Sequence, residues 1–131
     1  MAIKLLSKVA LTASLALLGT VALAQSNPYA KGPMPTLASI QADGPFTIAS
    51  QTIPSGSGFG GATVYTPTAP GTYAIVAVCT GFVTAQSSMA PMAKRLATHG
   101  FVVVNIDTNT IFDFPDSRAT QLLAALKATL A

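Results

Sequence analysis

The chain has 131 residues, half of them hydrophobic, with seven Lys and Arg against four Asp and Glu for a formal net charge of +3. Its single cysteine, Cys79, excludes an internal disulfide, and no group of His, Cys and carboxylate residues has metal-ligand spacing, so no metal is expected. Past the N-terminal segment the one basic pair is Lys94-Arg95, too little cationic surface for nucleic acid.

Residues 1–24 have the three parts of a secretory signal peptide. Lys4 and Lys8 supply the cationic start, Val9 to Val21 the apolar core, and Ala22-Leu23-Ala24 the small residues before Gln25. The core is shorter than the ~20 residues of a spanning helix, which argues against an uncleaved membrane anchor. No Cys stands at the cleavage point for a lipid anchor, and no twin-Arg pair is present. A secreted or periplasmic protein is predicted, with no membrane association after cleavage. Removal of the segment leaves residues 25–131 as one small domain, with five cations against four anions.

Gln25 to Ala42 is a Pro-rich lead-in in which only Thr36 to Gln41 has room for a turn of helix. Asp43-Gly44-Pro45 marks a turn. Phe46 to Ile53 and Ala62 to Thr66 are predicted as an antiparallel pair joined by a Gly-rich hairpin loop. That loop is not a phosphate cradle, because a strand rather than a helix follows it and no Lys is near. Tyr73 to Val78 is a third strand, a continuous apolar run of the kind buried on both faces. It stops at Cys79-Thr80-Gly81-Phe82. Cys79, with no charged neighbour in sequence, is expected to be an inert, buried thiol.

Ser87 or Ser88 is the expected N-cap of a helix whose apolar stripe is Met89, Met92, Ala93, Leu96 and Ala97, with the methionines as core filler. Gly100 ends it. Phe101 to Ile106 (FVVVNI) is the most strand-like run, so the third strand, the helix and this strand form a parallel βαβ unit. Asp116 or Ser117 is expected to cap a final helix lined by Leu122, Leu126 and Leu130. FVVVNI, last of the strands in sequence, is expected to show a free apolar edge, which would make the sheet incomplete.

With these elements placed, four strings carry a resemblance: Asn27 to Pro33 (NPYAKGP), Gly81 to Ser88 (GFVTAQSS), Arg95 to Asn109 (RLATHGFVVVNIDTN) and Asp113 to Leu126 (DFPDSRATQLLAAL). In this order the chain resembles the secreted cutinase-like polyester hydrolases, the poly(ethylene terephthalate) hydrolases of the α/β-hydrolase fold. The resemblance implies an α/β fold class, the N-terminal half of an α/β-hydrolase: an antiparallel hairpin, a parallel βαβ unit and a further helix. It implies serine-mediated hydrolysis of an ester or polyester through an acyl-enzyme, with no cofactor.

By the same resemblance Phe82 gives one backbone N–H to the oxyanion hole and its ring to a substrate clamp, with Gly81, Gln86 and Ser87 at the cleft. Phe82 stands where many relatives have Tyr, Cys79-Thr80 where relatives commonly have Pro before the Gly, and Pro91-Met92 in place of an aromatic pair. His99 matches a structural histidine, and Asp107 is expected to order a loop. No serine has glycines at both −2 and +2, so the family's G-x-S-x-G elbow is absent, and Ser57 lies in the hairpin loop. A fragment of a serine esterase, inactive by itself, is therefore expected. The alternatives are a small exported binding or assembly module, or one half of a split esterase whose sheet a second chain completes.

Overall fold

A computed structural model describes residues 34–56 and 58–131. The predicted signal peptide, the Asn27–Pro33 string and Ser57 lie outside the described residues. Thr36 opens the described chain by capping α1 (Leu37–Gln41). Its hydroxyl accepts from the Ser39 N–H, and the Ser39 hydroxyl in turn accepts from the Thr36 N–H.

The hairpin is as expected. β1 (Ile48–Ile53) pairs antiparallel with β2 (Ala62–Pro67) from Ile48 opposite Pro67 to Ile53 opposite Ala62. The loop between them does more than turn the chain. Phe59 is fully buried and plugs the core beside Val64 and Ile106. Gly60 passes so close to the Thr108 carbonyl that a Cβ there would collide with it, and its N–H donates to the Asp107 carbonyl at 3.0 Å.

β3 (Ala74–Cys79) and β4 (Phe101–Ile106) run parallel, with Ala74 opposite Phe101 and Cys79 opposite Ile106. Between them come a short 3₁₀ turn, Gln86–Ser88, and the helix α2 (Ala90–Thr98). Gly100 turns the chain out of α2 with a φ of +94°, a conformation that glycine adopts without the usual Cβ penalty. The final helix is α3 (Pro115–Leu130).

The sheet order is β1-β2-β4-β3. This overturns the expectation of a free edge on FVVVNI. β4 lies inside the sheet, antiparallel to β2 on one side and parallel to β3 on the other. Val103, Val104, Asn105 and Ile106 are each completely buried. The strand at that end is β3, and accordingly it is half-buried rather than buried on both faces.

α3 and α2 supply the two core clusters. One gathers Phe59, Ala62, Val64, Val104, Ile106 and Ala125 of α3. The other gathers Tyr65 and Val103 with Ala93 and Ala97 of α2. The two alanines have no exposed surface, so α2 approaches the sheet through small side chains. Met92 is exposed and Met89 half-buried, so the methionines are not the expected core filler.

Neither predicted serine or aspartate cap forms. Ser88 Oγ donates backwards to the Ala85 carbonyl, and α2 starts after Met89 with Pro91 in its first turn. α3 starts after Phe114 with Pro115 at its first position, upstream of Asp116 and Ser117. Its buried residues are Arg118, Gln121 and Ala125, with Leu122 and Leu126 half-buried beside them and Leu130 exposed. No helix among the described residues is long and apolar enough to cross a membrane.

Candidate functional site

The C-terminal ends of β3 and β4 lie side by side, because Cys79 pairs with Ile106. Two loops leave them together, residues 80–85 and residues 107–114. Ligands of open α/β sheets bind at such strand ends. A cavity of about 380 Å³ opens there, lined by Cys79, Thr80, Gly81 and Phe82 on one side and by Pro115, Arg118 and Leu122 of α3 on the other. Cys79 is a free thiol facing this largely apolar cavity and is half-buried rather than fully enclosed.

The first loop is tied to itself. Thr80 Oγ1 donates to the Thr84 carbonyl at 2.8 Å, and Thr84 Oγ1 donates to the Gly81 carbonyl at 2.7 Å. Val83 has a φ of +59°, a left-handed conformation that a β-branched residue adopts at a cost of about 1–2 kcal/mol. The Val83 N–H donates to the Ile111 carbonyl of the second loop at 2.8 Å, which helps hold the strained residue in place. Among the described residues no acceptor pairs with the Phe82 N–H.

Arg118 links the two loops. It is 7% exposed, and its guanidinium donates to three main-chain carbonyls: Nη1 to Thr80 at 2.6 Å, Nε to Asp113 at 2.7 Å and Nη2 to Ile111 at 3.1 Å. Among the described residues the one ion pair is elsewhere, between Arg95 and Asp43 on the surface at 3.5 Å. A planar fork of five donors suits several fixed carbonyls in a way an ammonium does not.

Gln121, one turn further along α3, orders the second loop. Its Nε2 donates to Asp113 Oδ2 at 2.8 Å and its Oε1 accepts from the Asn109 N–H at 2.7 Å. Asp113 also accepts from the Thr110 N–H at 3.0 Å and from the Thr110 hydroxyl at 3.1 Å. The Gln121 amide, then these Thr110 donors and the Arg118 charge, hold the Asp113 carboxyl below the usual carboxylate range.

Above the cavity the Phe82 ring meets two others. Its centroid lies 6.0 Å from Phe112, edge-on at 69°, and 6.4 Å from Phe114, tilted by 35°. The three rings are 59%, 61% and 74% exposed, and exposed Val83 and Ile111 extend the same apolar patch. Phe112 and Phe114 are absent from the residues singled out in the sequence. Their signal there is the unusual pair of aromatics flanking Asp113 in IFDFP.

Gln86 and Ser87 lie apart from the cavity on the 3₁₀ turn. The Gln86 N–H donates to Asp107 Oδ1 at 2.7 Å, its Nε2 to the Asn105 carbonyl, and its Oε1 accepts from Thr63 Oγ1 at 3.3 Å. Ser87 is exposed. Asp107 is thus an acceptor that orders the loop after β3. His99 Nε2 lies 3.1 Å from the Ala42 carbonyl, at the opposite end of α2 from this turn. Among the described residues no three His, Cys, Asp or Glu side chains are grouped to hold a metal.

Comparison with known proteins decides the family. The PETase family model, described as PET hydrolase-like, matches residues 23–131. The chain belongs to the PET hydrolase-like family. It is 47% identical to the bis(hydroxyethyl) terephthalate hydrolase of Streptomyces coelicolor over 94% of its own length and 43% of that protein's. It is 45% identical to a cutinase of Thermobifida fusca, over 91% of this chain and 42% of the cutinase. With cutinase 1 of Thermobifida cellulosilytica the identity is 48%, over 77% and 40% respectively. The chain therefore spans about two fifths of the length of these relatives. Its four-stranded partial sheet, flanked by α2 and α3, is that part of a cutinase-like α/β-hydrolase fold.

Proposed function

We propose that this PET hydrolase-like chain carries the oxyanion-loop half of a serine carboxylic-ester hydrolase. The observation that carries the reading is the Phe82 N–H, which has no acceptor among the described residues and sits in a pinned loop at the tip of β3 beside an apolar cavity. A backbone donor held in this way stabilises the negative charge that develops on a carbonyl oxygen during acyl transfer.

By the family resemblance the nucleophilic serine, its histidine and its aspartate are expected in the part of the relatives' length that this chain does not span. No G-x-S-x-G string occurs among the 131 residues, so the chain by itself binds without turning over. The substrate class is an ester or polyester, as the names of the terephthalate hydrolase and cutinase relatives support. Gly81 leaves space at the turn, and the Phe82, Phe112 and Phe114 rings contact the apolar part of the ester. Gln86 contributes by anchoring the end of the loop, since its backbone and its amide are engaged by Asp107, Asn105 and Thr63. Residues 1–24 direct export.

The test joins this chain to the C-terminal part of the Streptomyces coelicolor relative and measures hydrolysis of a soluble aromatic ester. The graft is expected to turn over. Phe82→Pro, which deletes the N–H, is expected to lower kcat by roughly 10²–10³-fold, whereas Phe82→Ala, which keeps it, loses far less. Equal losses in the two variants would refute the oxyanion role. Turnover by the ungrafted chain, abolished by a serine-directed inhibitor, would refute the claim that it lacks a nucleophile.

A further inference from the structure

We infer that Arg118 is a positioning residue that sets the direction of the Phe82 N–H; this rests on the oxyanion reading above. Three successive peptide planes run through the loop, and each is pinned at its carbonyl or its N–H. The Thr80–Gly81 plane is held through the Thr80 carbonyl by Arg118 Nη1 at 2.6 Å. The Gly81–Phe82 plane, which bears the candidate donor, is held through the Gly81 carbonyl by Thr84 Oγ1 at 2.7 Å. The Phe82–Val83 plane is held through the Val83 N–H by the Ile111 carbonyl at 2.8 Å.

Arg118 acts on both outer planes. Its Nη2 donates to that same Ile111 carbonyl at 3.1 Å, so the acceptor for Val83 is itself held by the guanidinium. The third donor, Nε, fixes the guanidinium against the Asp113 carbonyl at 2.7 Å. The middle plane is then fixed from both flanks, and its N–H has one direction left to point. Without Arg118 the turn survives, because the Thr80 and Thr84 hydroxyl bonds are internal to it. What goes is the guanidinium's hold on the Thr80 and Ile111 carbonyls, and with it the fixed position of the acceptor that keeps Val83 in its left-handed conformation.

The experiment uses the full chain, labelled with ¹⁵N. In Arg118→Ala the amide of Val83 is expected to exchange with solvent about tenfold faster, the size of one lost charged hydrogen bond, and the Phe82 amide resonance to move. The Val103 and Val104 amides of β4 report on the fold and are expected to keep their protection. Low-millimolar guanidinium, but not the same concentration of sodium chloride, is expected to restore both loop signals in Arg118→Ala. Arg118→Lys keeps the charge without the fork and is expected to recover only part of the effect.

Loop signals unchanged in both variants would overturn the inference. So would a loss of protection in β4 equal to that at Val83 in both, since Arg118 would then be holding the fold rather than aiming a donor. These readouts need no turnover. They fail independently of the Phe82→Pro comparison, which tests the oxyanion reading itself.

Discussion

At the scale of single residues, the polar side chains of the interior decide the geometry of the site. Arg118 and Gln121 are buried because their hydrogen-bonding groups are spent on loop carbonyls, N–H groups and the Asp113 carboxylate. Asn105 shows the limit of such satisfaction. Its Nδ2 donates to the Gln86 carbonyl at 3.1 Å, but its buried Oδ1 has no partner among the described residues. An unmatched acceptor of that sort costs about 1–3 kcal/mol. Asp113 offers a test in pH. Its folded-state pKa lies below that of the unfolded chain, so its contribution is complete above the unfolded value of about 4 and is lost as pH falls through the lower folded value. The amides of Asn109 and Thr110 are therefore expected to stay protected from neutral pH down to about 4 and to open below it. Asp113→Asn is expected to abolish this acid-dependent step, as an NMR titration would show. None of this was legible beforehand. DSR was recognisable as a string, but a string does not say that its arginine turns inward to reach carbonyls 38 and seven positions away in the chain.

At the scale of elements, hydrophobic pattern located the strands and helices and misassigned parts of their faces. All four strands stand where β-branched runs bounded by Gly and Pro put them. The helix faces came out differently. In α2 the stripe contains the two methionines, yet the contact with the sheet is made by Ala93 and Ala97, which permit a close approach that longer side chains would prevent. In α3 the leucines flank a buried line made of Arg118, Gln121 and Ala125. Counting apolar residues cannot find a buried face that is partly polar. The caps failed for two different reasons: Pro115 starts α3 ahead of Asp116 and Ser117, whereas α2 starts after Ser87 and Ser88, which belong to a 3₁₀ turn where the Ser88 hydroxyl donates to the Ala85 carbonyl. The packing of α2 makes a direct prediction. Ala97→Leu forces extra methylenes against Tyr65 and Val103 and is expected to destabilise the fold by about 1–3 kcal/mol. Met92→Gln, on the exposed side, is expected to stay within about 0.5 kcal/mol. Denaturant melts of both variants would check the pair, and equal effects would contradict the observed helix orientation.

At the scale of the whole molecule, strand order carries the lesson that strand prediction does not. Each strand was legible as a run, but the insertion of β4 between β2 and β3 depends on pairings far apart in sequence, which no local pattern encodes. Of the described strands β3 ends the sheet on the side of the site, and an unpaired parallel edge is prone to association. The purified chain is expected to rise in apparent mass with concentration on size exclusion. Ala74→Lys, at an exposed position of β3, is expected to blunt that rise; a concentration-independent mass in the parent chain would contradict the expectation. The same order also constrains synthesis. β1 and β2 close as a hairpin soon after they leave the ribosome, but β3 emerges with no strand to join. Its only neighbour among the described strands is β4, made later, so some 20 residues of loop and helix must appear before Ala74–Cys79 acquires its first sheet hydrogen bond. A nascent chain stalled before Phe101 would expose Ala74–Cys79 as a bare apolar segment, the moment at which a holding chaperone has most to protect.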